Sequence, residues 1–278
     1  MATEVLYLKL TEACNMSCPF CFINQKAGEM TYETASSLIK KYSPKTIVYH
    51  GGEPLLCPEI ILRLIENFPD VEHSITTNFT LELSDKRQEV LDNVDYISTS
   101  YSVDRFSNNN LYKTFVDNIK RANRQITLLI TLSEEQLRQP PVELIKIINE
   151  INPAYIDLER LYDKEMSASF YRDTDDYMLK MFKLIPKEKN VLYLRMKNAI
   201  KYKTKVFNQR CNQSVVVANP DGRTFFCPNL SNNDVIEKRQ SKECLICSIN
   251  EYCGGDCLSF KGFCKFPKQT FLAVLKEE

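Results

Sequence analysis

The chain lacks an excess of charge of either sign, because 36 lysine and arginine residues balance 36 aspartate and glutamate residues among its 278 residues. A balanced chain has no global field that would attract nucleic acid or an anionic membrane. It also lacks an apolar run long enough to span a bilayer, and its first residues lack the basic and apolar regions of a signal peptide. We therefore expect a cytoplasmic protein with neither a nucleic-acid nor a membrane partner.

Histidine is scarce, and cysteine is absent from the middle of the chain. The histidines are His50 and His73, and none of the eleven cysteines lies between residues 58 and 210. Four cysteines precede this gap and seven follow it. Disulfides are rare in the cytosol, and structural cysteines would be scattered through the core. Two clusters with short internal spacings therefore predict two regions of metal ligation.

Segments typical of strands and helices alternate from residue 4 to about residue 160. The alternation predicts parallel strands joined by right-handed crossovers, and six such units are too few for a closed eight-stranded barrel. We therefore expect an α/β fold, a partial (β/α)6 TIM-like barrel. The predicted strands are 5–11, 45–50, 73–78, 94–102, 125–132 and 154–161, and the predicted helices are 31–42, 58–68, 84–93, 109–123 and 141–151.

The pattern changes after the sixth predicted strand. A further helix is predicted over 173–185, and a linking segment follows it up to residue 204. Residues 215–229 then predict a β-hairpin that turns at a Pro-Asp-Gly sequence, residues 220–222.

The rest of the chain has little apolar periodicity before a final helix predicted near 268–278. Such a tail cannot bury much of a core, so inorganic cross-links would have to supply its order. We therefore expect two domains, a core over residues 1–204 and a small cysteine-rich domain over residues 205–278.

Three cysteines near the start of the chain are spaced C-x3-C-x2-C, at Cys14, Cys18 and Cys21. The spacing also fits one face of a helix, but Pro19 inside the triplet disfavours a helix. The triplet follows the first strand, at the carboxyl end of the sheet, where such folds place their chemistry. Three thiolates suit a [4Fe–4S] cluster with one open iron. They also suit zinc with a water ligand, although catalytic zinc usually recruits histidine and carboxylate as well.

This triplet, with the aromatic Phe20 before its last cysteine, resembles the signature of the radical S-adenosylmethionine (SAM) superfamily. The resemblance implies that the amino and carboxylate groups of SAM chelate the open iron. It also implies that the reduced cluster passes one electron to the sulfonium, and that a 5′-deoxyadenosyl radical then abstracts hydrogen from the substrate. A flavodoxin- or ferredoxin-type partner is expected to supply the electron.

Segments at the ends of later strands are similar to the cofactor-binding segments of the same family. HGGEP at residues 50–54 is similar to the GGEP motif, whose backbone contacts the SAM amino group and needs glycine for close approach. An ordinary turn is the alternative for GGEP taken alone, and a solvated or salt-bridged glutamate is the alternative for Glu159. The residues that the resemblance assigns to SAM are Phe20, Gly51, Gly52, Glu53, Pro54, Asn78, Ser100, Ser102 and Glu159.

The seven later cysteines resemble, in their spacing, the SPASM extension of radical SAM enzymes. The resemblance implies two auxiliary iron–sulfur clusters, and therefore three [4Fe–4S] clusters in all, whereas the residues alone leave a structural zinc site open. The implied distal ligands are Cys244, Cys247, Cys253 and Cys264, and the implied proximal ligands are Cys211, Cys227 and Cys257. Residues 202–210 contain no further cysteine, which would leave an open iron in the proximal cluster.

Cys57 lies outside both groups of cysteines. A packed thiol is its default interpretation. A hydrogen-atom donor to a substrate radical, which an epimerase needs, and an unexpected metal ligand are the alternatives.

The resemblance implies a substrate that is a peptide or protein, which the enzyme would cross-link or dehydrogenate. Auxiliary clusters suit such oxidations, because iron–sulfur potentials span about −700 to +450 mV and a nearby cluster can accept the second electron. A small polar metabolite such as an aminocyclitol, dehydrogenated or epimerised, is the second hypothesis. A non-catalytic iron–sulfur or zinc protein is the third.

Two departures from the peptide-modifying families favour the small metabolite. Pro228 follows Cys227, where sulfatase maturases have an aspartate base. The chain also begins at the barrel, without a leader-binding domain of about 80 residues. A peptide substrate would therefore need a separate leader-binding protein or the barrel mouth itself.

Overall fold

The computed structural model describes residues 3–21, 23, 28–106, 109–161, 167–204, 214–225, 247–253 and 266–277. The chain forms two compact units, one of Met1–Leu128 with Arg210–Asn233 and the other of Leu129–Gln209 with Asp234–Glu278. The domain boundary predicted at residue 204 remains a prediction. Cys211, Cys227, Cys244, Cys257 and Cys264 lie outside the described residues.

The described strands form one mostly parallel sheet. They are β1 Val5–Thr11, β2 Thr46–Gly51, β3 Glu72–Thr77, β4 Tyr96–Tyr101, β5 Ile126–Leu132, β6 Tyr155–Arg160, β7 Val215–Ala218 and β8 Thr224–Phe225. Their order in the sheet is β6-β5-β4-β3-β2-β1-β7-β8. The predicted mixed α/β fold is confirmed, and each of the six predicted barrel strands agrees with the observed one to within two residues at either end.

The described α-helices alternate with these strands. They are α1 Tyr32–Tyr42, α2 Pro58–Asn67, α3 Asp85–Asn93, α4 Asn109–Ala122, α5 Glu134–Arg138, α6 Pro141–Ile151, α7 Ala168–Phe182, α8 Val191–Tyr202, α9 Asn250–Cys253 and α10 Lys268–Leu275. Short 3-10 helices span Pro54–Leu56, Val103–Phe106 and Lys187–Lys189. Within the described residues, no helix is both long enough and apolar enough to cross a membrane.

The two faces of the sheet differ along β1–β4. One face carries a row of buried apolar side chains, Leu8, Tyr49, Ile75 and Ile97, which are adjacent in the strand register. Side chains alternate between faces along a strand, so the next residue of each strand lies on the other face. Those residues are the polar Lys9, His50, Thr76 and Ser98. The apolar face supplies the core, and the other face carries this polar row.

Helix α8 replaces the linking segment that the sequence predicted after residue 185. Asn190 caps it, because its side-chain oxygen accepts the backbone N–H of Tyr193 at 3.0 Å. Leu192, Met196 and Ala199 are buried along it at helical spacing. Arg195 and Lys197 lie between these residues and obscured the periodicity, so the prediction of a linking segment was wrong.

The predicted hairpin is present as β7 and β8, which pair antiparallel. Its turn places Gly222 at φ +79°, a backbone conformation that favours glycine. The sequence did not indicate that β7 would also pair parallel to β1, with Val5 opposite Val215 and Leu8 opposite Ala218. The hairpin therefore extends the sheet next to the strand that leads into the N-terminal cysteines.

In the second unit, α10 packs against α7 and α8. Pro267 precedes α10 and has no side-chain group that could cap it. The buried carboxylate of Asp175 on α7 takes this role. It accepts the N–H groups of Gln269 at 2.8 Å and Thr270 at 3.2 Å, and the Thr270 hydroxyl donates to it at 2.8 Å. One carboxylate thus satisfies donors that a helix N-terminus leaves unpaired.

Candidate functional site

The N-terminal cysteines lie on a loop that begins at the end of β1 and is closed at its base. The backbone N–H of Met30 donates to Leu10 at 2.7 Å, and the N–H of Glu12 donates to Gly28 at 3.2 Å. Thr11 also bridges antiparallel to Glu29. The loop therefore leaves and returns at the same point of the sheet, the carboxyl end of β1.

The three cysteines differ in exposure within this loop. Cys14 and Cys18 are half-buried, whereas Cys21 is exposed. Cys14 Sγ accepts the N–H of Met16 at 3.4 Å, and the N–H of Cys21 donates to the carbonyl of Cys18 at 3.0 Å. The segment around Pro19 forms a turn and not a helix, as the proline predicts.

The three thiols of this loop are a donor set that a cubane cluster can use. Burial raises the pKa of Cys14 and of Cys18, and the charge of the neighbouring thiols raises them further. Among the described residues, no three His, Cys, Asp or Glu side chains converge as one metal ion requires. In a [4Fe–4S] cluster each cysteine binds a different iron, so the sulfur atoms need only lie on one loop, facing a shared volume.

The HGGEP segment holds the start of this loop. The N–H of Gly52 donates to Thr11 at 2.8 Å, and the N–H of Glu53 donates to Ala13 at 2.9 Å. A Cβ atom at Gly52 would collide with the carbonyl of Ala13, and one at Gly51 would collide with the carbonyl of Thr11. The two glycines therefore let the backbone of the HGGEP segment approach the backbone of the loop closely. The sequence had suggested a close approach to a cofactor, and this contact within the protein is an additional reason for glycine.

Glu53 ties this segment to the end of β3. Its buried carboxylate accepts the N–H of Leu55 at 3.0 Å, the hydroxyl of Thr77 at 2.7 Å and the N–H of Asn78 at 2.8 Å. Burial raises the pKa of Glu53, and these three donors oppose that rise. Pro54, the last residue of the motif, is buried at the start of a short 3-10 helix.

Asn78 lies directly beside the first cysteine. Its amide nitrogen is 3.7 Å from Cys14 Sγ and 2.9 Å from the side-chain oxygen of Asn15. Asn15 in turn donates to the hydroxyl of Thr80 at 2.8 Å. The sequence had singled out Asn78 as a SAM ligand, but it gave no signal for Asn15 or Thr80, which are far from each other in the chain.

Arg105 is a residue that the sequence analysis missed. It lies in the 3-10 helix that follows β4 and donates to the carbonyl of Ser100 at 3.1 Å. Its guanidinium lies 5.9 Å from the centre of the Phe20 ring, and its charge and a hydrogen bond lower the pKa of Cys18 against the larger effect of burial. Since an arginine after a strand is common, only its position beside the loop distinguishes it.

The end of β4 offers further polar groups. Ser102 is fully buried, and its hydroxyl has no hydrogen-bond partner among the described residues. The Nε atom of Arg105 is also buried without a hydrogen-bond partner among the described residues. Ser100 is half-buried. Buried polar groups without partners are rare in native proteins, so this strand end has the unsatisfied donors and acceptors that a polar cofactor would pair.

His50 has a defined protonation state. Its Nδ1 accepts the N–H of Gly51 at 2.6 Å, and its pKa is lowered to about 4 by burial and by the charges of Lys9 and Arg105. At neutral pH the ring is therefore uncharged, with the proton on Nε2. It presents one donor on the polar face of the sheet.

The remaining predicted residues lie on other elements or outside the described residues. Glu159 is exposed on β6 in the second unit. Cys57 is buried at the start of α2, and burial raises its pKa to about 12, so its thiol stays protonated. Cys247 is half-buried and Cys253 is buried in α9.

A family model described as "Radical SAM superfamily" matches residues 8–138, just under half of the chain. Residues 8–138 are therefore similar to a radical SAM domain. The match includes the cysteine loop, the HGGEP segment, Asn78 and the end of β4. Members of the family bind a [4Fe–4S] cluster together with SAM, so the match implies both cofactors.

The solved structures that resemble the chain include SuiB of Streptococcus suis. The TM-score is 0.64 for SuiB bound to S-adenosylmethionine, with 92% of this chain and 73% of that chain covered at 14% identity. It is 0.61 for SuiB bound to its precursor peptide SuiA, with 92% and 72% covered at 14% identity. At this identity the likeness shows that the fold is shared.

Two relatives in sequence are archaeal. An uncharacterized protein of Archaeoglobus fulgidus is 33% identical over 92 residues, which are 31% of this chain and 22% of that protein. Uncharacterized protein MJ0907 of Methanocaldococcus jannaschii is 29% identical over 121 residues, which are 40% of this chain and 42% of that protein. The chain thus spans less than half of the length of these curated relatives.

Proposed function

We propose that the protein is a radical SAM enzyme that reductively cleaves SAM and uses the 5′-deoxyadenosyl radical to modify a peptide or protein, by an oxidative cross-link or a dehydrogenation. The single observation that carries this proposal is the three-cysteine loop, closed at its base and held by the HGGEP backbone. The cluster supplies the electron for cleavage when bound. The protein's own residues hold the loop and orient the reactants.

Each predicted cofactor residue has a place in this proposal. Cys14, Cys18 and Cys21 would each bind one iron. Ser102 would pair its unsatisfied buried hydroxyl with SAM. The residues that keep the role in SAM binding that the family resemblance gives them are Phe20, Gly51, Gly52, Glu53, Pro54, Asn78, Ser100 and Glu159.

The later cysteines are proposed to form a SPASM domain over residues 205–278, with two auxiliary clusters that accept the second electron. The spacing of all seven cysteines supports this. The cytoplasm, where thiols stay reduced, is the proposed location. A flavodoxin- or ferredoxin-type donor and a separate leader-binding protein are the proposed partners.

A peptide substrate is supported by the likeness to SuiB, which has been solved in complex with its precursor peptide. The polar row of Lys9, His50, Thr76 and Ser98 adds a physical reason. An extended peptide carries a donor and an acceptor at every residue, and a row of polar side chains can pair with them. We propose that this row contacts the substrate.

The test is anaerobic reconstitution of the full chain with iron and sulfide. We expect 5′-deoxyadenosine to form from SAM under reducing conditions, and none to form in the Cys18→Ala variant. Three clusters predict about 12 irons per chain and one cluster predicts about four. Wild-type protein that binds iron but releases no 5′-deoxyadenosine would contradict the proposed reaction.

Candidate substrates separate the two substrate classes. A genomic neighbour that encodes a short peptide would be supplied to the reconstituted enzyme, and mass spectrometry would follow the loss of two hydrogens. An aminocyclitol is the parallel substrate. If the enzyme converts only the aminocyclitol, the substrate is a small metabolite and not a peptide, and the proposed radical chemistry still holds.

A further inference from the structure

The amide of Asn78 is fixed at both of its polar ends. Its oxygen accepts the N–H of Thr80 at 2.9 Å and the Thr80 hydroxyl at 2.7 Å. Both are donors, so the oxygen must face Thr80 and the NH2 group must face away from it. The NH2 group then lies between Asn15 and Cys14. Asn78 is only 7% exposed, so water does not compete for it.

The backbone of Asn78 is held as well. Its N–H donates to the buried carboxylate of Glu53 at 2.8 Å. The following residue, Phe79, is fully buried and has φ +54°, and its carbonyl accepts the side chain of Asn118 at 2.8 Å. The amide is therefore part of a rigid turn, and its 3.7 Å approach to Cys14 Sγ is built into the fold.

We propose that Asn78 is a positioning residue for the cluster, donating an N–H···S hydrogen bond to the Cys14 sulfur that raises the reduction potential of the cluster. A thiolate bound to iron carries more negative charge when the cluster is reduced, so a donor to that sulfur stabilises the reduced state more than the oxidised state. Hydrogen bonds to the sulfur atoms are one of the factors that set such potentials. The proposal rests on the cluster-binding part of the proposed function.

Asn15 orients this donor. Its side-chain oxygen accepts from Asn78 while its own nitrogen donates to Thr80, so the three side chains form a closed network. Among the described residues, the side chain that donates a hydrogen bond to Cys14 Sγ is that of Asn78. The strength of the effect follows from the charge of the acceptor, because a hydrogen bond to an ionised atom is stronger than one between neutral groups.

The test is the Asn78→Ser variant of the full chain, reconstituted anaerobically. Serine can accept the Thr80 N–H and so preserve the turn, but its hydroxyl does not extend as far toward Cys14. The potential is measured by a redox titration followed by EPR, using the cluster signal that is absent from the Cys18→Ala variant. We expect about a tenfold fall in the equilibrium constant for one-electron reduction, which is about 59 mV toward lower potential.

Two further variants make the result decisive. Asn15→Ala removes the acceptor that orients the amide, and we expect a smaller shift in the same direction. Asn67→Ser, at an exposed asparagine on α2, should leave the potential unchanged. Variants with full iron content and an unchanged potential would overturn the proposal. Loss of iron from both site variants would also overturn it, because Asn78 would then serve only to assemble the site.

The result also stays separate from the proposed function. Wild-type protein without iron at this loop would refute the radical SAM chemistry itself. Iron-loaded wild-type protein that cleaves SAM, with variants of unaltered potential, would refute only the role of Asn78.

Discussion

Glu53 is buried and accepts three hydrogen bonds, yet burial raises the pKa of its carboxyl group. The folded state therefore binds its proton more tightly than the unfolded chain does. The bound proton therefore stabilises the folded state at pH values below 4.5, the pKa of this group in the unfolded chain. This contribution is lost as the pH rises through the higher pKa of the folded state.

The difference in unfolding free energy between the wild type and the Glu53→Gln variant should therefore change with pH. Glutamine does not titrate, so we expect the wild type to lose stability relative to the variant as the pH rises from 4.5 to neutral. The lost acceptor for the Asn78 N–H adds a constant cost of about 1–3 kcal/mol to the variant at every pH. Urea unfolding of both proteins at several pH values measures the difference.

Glu59 provides the matched control. Its side chain is exposed, and a hydrogen bond from Lys86 lowers its pKa. In the Glu59→Gln comparison the wild type should gain stability as the pH rises through the acid range, the opposite sign, and the gain should be small because the pair is exposed. Equal slopes in the two comparisons would contradict the role assigned to burial of Glu53.

Gly52 carries the second prediction at this scale. A methyl group there would collide with the carbonyl of Ala13, so we expect Gly52→Ala to displace the loop and lose most of the cluster iron. Gly28→Ala is the control, because its added carbon would meet only the Pro220 side chain, at 3.6 Å. Iron content after anaerobic reconstitution is the measurement. Equal iron in the two variants would mean that the backbone contact is dispensable.

At the scale of elements, local patterns predicted most of the sheet and the helices around it. Helix α1 was predicted over 31–42, and the hydroxyl of Thr31 caps it by accepting the Thr34 N–H at 3.2 Å. Strand β1 was predicted at its observed bounds. These elements follow from information within a few residues. Helix α8 was missed because Arg195 and Lys197 interrupt its buried residues along the chain.

The site shows where local information ends. The cysteine spacing and the HGGEP segment are contiguous in sequence, and they pointed to the site directly. The contacts of Glu53 with Thr77 and of Asn15 with Thr80 join residues from different strand ends, 24 and 65 positions apart. Such contacts depend on the order of strands in the sheet, which a single sequence does not specify. Arg105 escaped notice for the same reason.

Helix α10 gives a prediction at the element scale. The Asp175 carboxylate caps α10 from a neighbouring helix, so Asp175→Ala should leave the N–H groups of Gln269 and Thr270 without an acceptor. We expect a loss of about 1–3 kcal/mol of stability and faster hydrogen exchange over residues 266–277. Asp176→Ala, at the exposed next position, should change neither. Normal protection of α10 in the Asp175 variant would show that packing alone holds the helix.

For the molecule as a whole, iron binding should contribute to folding stability wherever a cluster cross-links the chain. Anything that binds the folded state alone stabilises it, and metal ligands are rarely preformed in an unfolded chain. Because the chain forms two compact units, the effect of iron on stability can be tested in each unit separately. The cysteine loop belongs to the first unit, and Cys247 and Cys253 belong to the second.

Hydrogen exchange with and without iron should therefore map the clusters. Removing iron from the reconstituted wild type should reduce protection at residues 11–21 and 50–54 in the first unit. If the later cysteines bind auxiliary clusters, residues 247–253 should lose protection as well, whereas α6 should not change. The Cys14→Ala/Cys18→Ala/Cys21→Ala variant should retain only the second effect. Unchanged exchange at 247–253 would remove the SPASM proposal, and the radical SAM domain would then be left with a single cluster.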